Sequence, residues 1–208
     1  GPQNKATQCL AYSRDSGVTW EIFEGNPVLR TEDQYDRDPA VFHYAPNDKW
    51  YMVLCLSKNN ADRDNAEYGI YVSNNLKDWK LTDKVGPHRN CWECADMYEM
   101  HVDGDLDNTK WVLENGTGNY IIGSFDGKKF TPESSGYQGP WMRSHWGGSY
   151  YATQTFKNAP NGRRIQLGWM STGKDALPDA FPGMPFNQQM SVPRKLTLRK
   201  TDQGLRVF

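Results

Sequence analysis

Short apolar runs alternate with polar, turn-forming clusters along the whole chain, and no stretch keeps the three-to-four-residue spacing of an amphipathic helix. Three segments share one design. Leu10-Ala11-Tyr12-Ser13-Arg14-Asp15 runs on to Trp20, Ile70-Tyr71-Val72-Ser73-Asn74-Asn75 to Trp79, and Ile121-Ile122-Gly123-Ser124-Phe125-Asp126 to Phe130. Each is an apolar strand ending in Ser, then a turn carrying Asp or Asn, then an aromatic residue six or seven positions after the Ser. The serines lie 60 and 51 positions apart. Self-similarity with a period of about 50 residues, without helical patterning, is the signature of propeller blades.

One blade can be read strand by strand: Pro39–Tyr44, Trp50–Leu56, Tyr68–Ser73 and Trp79–Leu81. The joins Ala45-Pro46-Asn47-Asp48 and Asn74-Asn75-Leu76-Lys77 are turn-rich, and the loop from Ser57 to Glu67 is longer and charged. The next blade is expected from Asp96 to Phe130, turning at Asp103-Gly104-Asp105. A further blade takes Tyr150–Phe156 and Arg164–Met170; a Pro-rich connection from Thr172 to Pro185 leads to Met190–Leu198, with Gly204–Phe208 as a last strand. Near the N-terminus, Gln8–Ser13 reads as a strand. The predicted fold class is therefore all-β: one propeller domain over residues 1–208, with roughly three four-stranded antiparallel blades and part of another. Propellers need at least four blades to limit exposed edges. The expectation is a piece of a larger propeller, or a chain that associates with the missing part.

Composition narrows the function classes. A formal net charge of −1 gives no broad attraction to nucleic acid or anionic membrane, and no run of eighteen apolar residues is present. Aromatic residues reach 13% where all hydrophobic residues reach only 37%, which fits narrow sheet-on-sheet cores with a few rings left to pack on sugars. Of the four cysteines, Cys91 and Cys94 form a C-x-x-C, but Cys9 and Cys55 stand alone and the four histidines show no paired spacing. Buried free thiols are expected, and neither a metal nor a cofactor. Asn115-Gly116-Thr117 is a glycosylation sequon. The first residues, Gly1-Pro2-Gln3-Asn4, read as a loop of a mature or truncated chain, without a visible signal peptide.

Candidate chemistry concentrates in two strings, Arg37-Asp38-Pro39 and Trp92-Glu93-Cys94-Ala95-Asp96. Asp38 and Glu93 each precede the first strand of a blade, 55 positions apart, so they are expected at equivalent places in neighbouring blades. Two convergent carboxylates are the minimal kit for glycosidic-bond chemistry.

These strings resemble glycoside hydrolase family 32, the invertases, inulinases and levanases. Further segments match in family order: Tyr150-Tyr151-Ala152-Thr153-Gln154-Thr155-Phe156, Arg163-Arg164-Ile165-Gln166-Leu167-Gly168-Trp169-Met170, and Met190-Ser191-Val192-Pro193-Arg194-Lys195-Leu196. The resemblance implies a five-bladed propeller and a retaining mechanism on β-fructofuranosides, sucrose or fructans such as inulin and levan. Glu93 matches the general acid/base and Asp38 the transition-state stabiliser. Arg37 would bond sugar hydroxyls or hold nearby carboxylates ionised, Cys94 would shape the pocket floor, and Trp146 and Trp169 are candidate ring platforms. The family also implies an extracellular or periplasmic location and a C-terminal β-sandwich.

The chain departs from that pattern in places. The family's nucleophile is the Asp of an N-D-P-N-G motif upstream of R-D-P, and no N-D-P occurs here. Ala95 stands where Pro is common, His145-Trp146-Gly147 where D-Y-G is usual, and Pro185-Phe186-Asn187-Gln188 where W-x-G is usual. The chain by itself is expected to be inactive. Alternatives left open are a non-catalytic carbohydrate-binding or interaction propeller, a fructosyltransferase, and a related five-bladed glycosidase acting on arabinans or xylans.

Overall fold

The computed structural model describes residues 6–31, 33–57, 66–87, 93–133, 141–147, 149–170, 183 and 188–208. Cys91, Trp92, residues 171–182 of the Pro-rich connection and Pro185-Phe186-Asn187 lie outside the described residues, as does most of the expected loop after Ser57. The described chain is strands and turns, with single 3-10 turns at Ala45–Asn47 and Pro160–Gly162. It divides into two compact units, one of residues 1–95 and 124–139, the other of residues 96–123 and 140–208.

The first unit opens with short ribbons. β1 (Thr7–Gln8) pairs with β4 (Leu29–Arg30), and β2 (Ala11–Tyr12) with β3 (Glu21–Ile22). The single strand expected over Gln8–Ser13 is thus two, interrupted at Cys9 and Leu10. Leu10 turns its N–H and C=O to the Asn26 side chain, at 2.8 Å each, and its C=O also accepts the Phe23 N–H at 2.9 Å.

An antiparallel meander follows: β5 (Arg37–Tyr44), β6 (Lys49–Leu56), β7 (Glu67–Ser73) and β8 (Lys80–Val85), in that order. These agree with the four strands read from the sequence to within a few residues at each end. Central β6 is buried on both faces over Tyr51–Leu56, which explains its unbroken apolar run. Met52, Leu54 and Leu56 pack with Tyr71 on one side. On the other, Tyr51 stacks on Phe42 and meets Phe125 edge-on, with ring centroids 5.7 and 5.0 Å apart.

The repeated turns are real and share their chemistry. Ser13 Oγ accepts the N–H groups of Asp15 and Gly17, Asp15 Oδ1 accepts those of Val18 and Thr19, and the Trp20 indole N–H reaches Gly17 O at 3.1 Å. In the second copy Ser73 Oγ takes the N–H groups of Asn75 and Leu76, Asn75 Oδ1 those of Lys77 and Asp78, and the Trp79 indole reaches Leu76 O at 3.0 Å. In the third, Asp126 Oδ1 accepts the N–H groups of Lys128 and Lys129. Short side-chain acceptors satisfy the turn amides in place of a strand. The Thr19 hydroxyl and N–H hold the Asp15 carboxyl down at about 2.

The second unit is built on β9 (Asp96–Val102), β10 (Asp105–Glu114) and β11 (Asn119–Phe125, whose last two residues belong to the first unit), a meander turning at Asp103-Gly104. β12 (Phe130–Pro132) belongs to the first unit, and β13 (Met142–Arg143) pairs with β11. β14 (Tyr151–Phe156) pairs with β15 (Arg164–Met170), which also takes β16 (Gln189–Met190) and β17 (Arg194–Leu196).

The expected strand Met190–Leu198 is therefore broken. Residues 191–193 between β16 and β17 include Pro193, which has no N–H to offer a ladder. The chain then leaves that sheet. β18 (Leu198–Thr201) and β19 (Gly204–Val207) form a hairpin, and β18 joins β9 in parallel at Leu198↔Val102. The reason is apolar: Leu196, Leu198 and Val207 complete one buried cluster with Tyr98, Val102, Val112 and Tyr120. The Val207 N–H also donates to the Tyr120 hydroxyl at 2.9 Å.

The sequon residue Asn115 is fully buried, and its Oδ1 accepts the Thr117 N–H, the Thr117 hydroxyl and the Asn119 N–H. Its side chain holds the β10–β11 turn and is not presented for glycosylation.

Candidate active site

Three strands begin alike. Asp38 at the start of β5, Cys94 just before β9 and Ala152 at the start of β14 all lie in the left-handed region, with φ of 59°, 56° and 51°. In β5 and β14 the ladder slips at this point, between Arg37 and Ala40 and between Tyr151 and Gln154. A left-handed non-glycine residue costs about 1–3 kcal/mol and persists only where its surroundings hold it. In β5 and β14 the kink shifts the register of the first residue, which still pairs across the ladder, Arg37 with Cys55 and Tyr151 with Trp169.

By this landmark Cys94 is the counterpart of Asp38, and Glu93 the counterpart of Arg37. The equivalence of Asp38 and Glu93 expected from sequence spacing is off by one residue.

The four residues are joined in matched pairs, each with its counterpart. Arg37 donates from Nε and Nη2 to Glu93 Oε1, at 2.8 and 2.5 Å. The Cys94 backbone N–H donates to Asp38 Oδ2 at 3.0 Å, and the Cys94 thiol approaches the same oxygen at 3.7 Å. Both links span 56 residues. The Arg37 and Glu93 side chains keep 38% and 33% of their surface exposed, so the pair is reachable by a ligand. Burial works against the Arg37 charge, but the bonds and charge of Glu93 outweigh it and raise its pKa.

Residues not singled out from the sequence support this group. Arg37 lies opposite Cys55 across the β5–β6 ladder, and its guanidinium lies 5.9 Å from the Tyr35 ring centre. Asp36 is buried, its carboxylate accepting the Ser57 and Asp33 N–H groups at 2.9 and 3.4 Å. Burial outweighs these bonds and raises its pKa. Asp36 thus ties down the chain on either side of the site. Counting the hairpin register outward from the Ala45–Asn47 turn would place Leu56 opposite Arg37; the slip between Arg37 and Ala40 brings Cys55 there instead.

Burial pushes the thiols of Cys55 and Cys94 up to about 12, with the charges of Asp38 and Glu93 adding to it. Both stay neutral thiols at physiological pH, lacking the thiolate that a nucleophile or metal ligand needs. Among the described residues, no group of three His, Cys, Asp or Glu side chains is placed to hold a metal ion.

The two predicted ring platforms lie in the second unit. Trp146 is 96% exposed and Trp169 on β15 is 39% exposed, its ring edge-on to Tyr151 at 6.3 Å. Neither is a core residue. The adjacent His145 is half-buried, with Nε2 2.8 Å from Thr117 O.

The family model described as the glycosyl hydrolases family 32 N-terminal domain matches residues 1–207. The chain belongs to glycoside hydrolase family 32. It is 35% identical over 217 residues to a levanase of Bacillus subtilis, covering 96% of this chain and 30% of that protein. It is 30% identical over 225 residues to an extracellular exo-inulinase of Aspergillus niger, covering 95% and 40%. The crystal structure of an exo-inulinase from Aspergillus awamori superposes with a TM-score of 0.83 at 28% identity, over 98% of this chain and 43% of that one. A β-fructofuranosidase from Schwanniomyces occidentalis, solved with fructosyl-erythritol, gives 0.78 at 27% identity, over 98% and 40%. This family 32 chain thus spans well under half the length of these relatives.

Proposed function

We propose that these residues are the catalytic-propeller portion of a retaining β-fructosidase that hydrolyses β-fructofuranosidic bonds in sucrose or in fructans such as inulin and levan. The observation that carries the reading is the matched pairing of Arg37 with Glu93 and of Asp38 with Cys94. It brings a carboxylate able to exchange a proton next to a second carboxylate held by a backbone N–H.

In the proposed reaction Glu93 protonates the leaving glycosidic oxygen and later takes a proton from water. Arg37 donates to Glu93 Oε1 from two nitrogens, which fixes the direction of the carboxyl group. Asp38, its Oδ2 fixed by the Cys94 N–H, accepts fructose hydroxyls whose bonds strengthen as oxocarbenium character develops. The exposed rings of Trp146 and Trp169 are proposed to pack on sugar faces. The sheets are read as blades of a five-bladed propeller, roughly three and part of another falling within these residues. The rest of the propeller and a C-terminal β-sandwich are expected in the complete protein. An extracellular location is supported by the exo-inulinases, which are named extracellular.

A retaining reaction also needs a nucleophile, and the 208 residues contain no N-D-P. Asp36 is buried on the Ser57 and Asp33 amides and does not replace it. The 208 residues alone are therefore proposed to be inactive. The test is turnover of sucrose, inulin and levan by the complete protein that contains these residues and by its Glu93→Gln variant. A loss of about a thousandfold in the variant is expected. A parent inactive on all three sugars, or a variant with full rate, overturns the proposal.

A further inference from the structure

The second unit contains a cavity of about 500 Å³ that shares no residue with the proposed fructoside site. Four cations line it, Arg163, Arg164, Lys195 and Arg199, against two carboxylates, Glu99 and Asp103. These six side chains sum to a formal charge of +2. Among the described residues, none of the four cations forms an ion pair.

The three arginines rest instead on neutral groups. Arg164 lies 4.9 Å from the Tyr98 ring centre and donates to Thr155 Oγ1 and Phe156 O at 3.4 and 3.3 Å. Burial pulls its pKa down, the mark of a charge withdrawn from water without an acid beside it. Arg163 donates to Pro160 O and Arg199 to Thr197 Oγ1. The carboxylates are already engaged, Glu99 by the Thr109 hydroxyl at 2.6 Å and Asp103 by the Lys200 N–H at 3.2 Å. Among the described residues this excess of cations around a concave space has no ion-pair partner, and cleavage of a neutral fructoside does not call on it.

We propose that this cavity binds a phosphate group, either as inorganic phosphate or as the ester of a sugar phosphate. The cations come from two separate stretches of chain, residues 163–164 and 195–199. A tetrahedral dianion with three acceptor oxygens can engage donors from both, and guanidinium groups bond such oxyanions in pairs. The volume lies in the range of about 300–1,000 Å³ usual for small-ligand sites, which leaves room for a sugar beside the phosphate. The inference does not depend on the fructosidase reading.

The experiment is calorimetric titration of the full chain with inorganic phosphate, fructose 6-phosphate and fructose. It is repeated on the exposed double variant Lys195→Gln/Arg199→Gln and on Arg163→Gln, each checked for an unchanged melting temperature. Binding of a phosphate species is expected, weakened about tenfold or more in the double variant and weakened by added salt. Fructose 6-phosphate binding well above inorganic phosphate identifies a sugar phosphate, and equal binding identifies phosphate itself. Absence of phosphate binding up to about 10 mM, or equal binding by the parent and both variants, overturns the proposal.

Discussion

Arg37 holds one oxygen of Glu93 with two guanidinium nitrogens, at 2.8 and 2.5 Å, from a position 56 residues earlier in the chain. Asp38 and Cys94 are linked across the same interval by a backbone bond. Each string therefore fixes the other: the residue that begins one carries the charge opposite to its partner, and the residue that follows supplies the left-handed kink.

Conservative replacement of Arg37 tests what the paired grip contributes. Lysine keeps the charge but has no planar fork to place two nitrogens on one oxygen. In the complete protein Arg37→Lys is expected to lower kcat on sucrose by about tenfold to a hundredfold, with a smaller change in KM. Glu93→Gln is expected to fall further, and the double variant no further than Glu93→Gln alone. Independent, additive losses would show that Arg37 does not act through Glu93.

Cys94 acts mainly through its main chain. The thiol is 3.7 Å from Asp38, whereas the N–H is 3.0 Å away. Cys94→Ala keeps the N–H and tolerates the kink, so activity within about threefold of the parent is expected. Cys94→Val places a β-branched side chain at φ 56°, where its branches clash with the backbone. It is expected to lower stability by about 1–3 kcal/mol in denaturant melts. Equal stability of the two variants would contradict the argument.

Thiol reactivity follows from the same burial. With pKa values pushed to about 12, Cys55 and Cys94 remain protonated at pH 8, while Cys9 is exposed. Of these three, Cys9 alone is expected to be alkylated by iodoacetamide in the native protein, as mass spectrometry of digests would read. Unfolding should expose all three. The sign for stability is the same: between pH 9 and 12 the unfolded chain loses thiol protons that the folded chain keeps, so stability falls as pH rises through that window. Rapid native alkylation of Cys94 at pH 8 would contradict the assigned shift.

The parts of the fold legible in the sequence are those whose causes are local. The Ser13, Ser73 and Ser124 segments announce their turns because the groups that bond are mostly two to four residues apart. The run Tyr51–Leu56 announces a central strand because both faces are apolar. The pairing of Leu198 with Val102 is different, since nothing near Leu198 indicates that a strand almost a hundred residues earlier completes its cluster. The one-residue offset between Asp38 and Glu93 was hidden for a related reason. Spacing counts residues, while a left-handed kink before the ladder changes which residue occupies the corner. The identities of Asp38 and Glu93 are readable as motif residues, but their partners 56 positions away are set by the folded strands.

The second unit offers a separate test of buried charge. Asp96, 1% exposed, accepts the Thr155 N–H and hydroxyl at 2.9 and 2.7 Å and also pairs with the Lys157 ammonium. All three donors thus come from one short segment, so the carboxylate pins the end of β14 to the first residue of β9. Removing the cation leaves a buried carboxylate with only the two threonine bonds. Lys157→Met is therefore expected to destabilise the fold by about 3 kcal/mol, measured by urea unfolding of the full chain. Adding Asp96→Asn to it removes the stranded charge while an amide oxygen still accepts from Thr155, and should recover part of the loss. If the double variant is less stable than Lys157→Met, the cost lies in lost packing of the lysine stem rather than in an uncompensated charge.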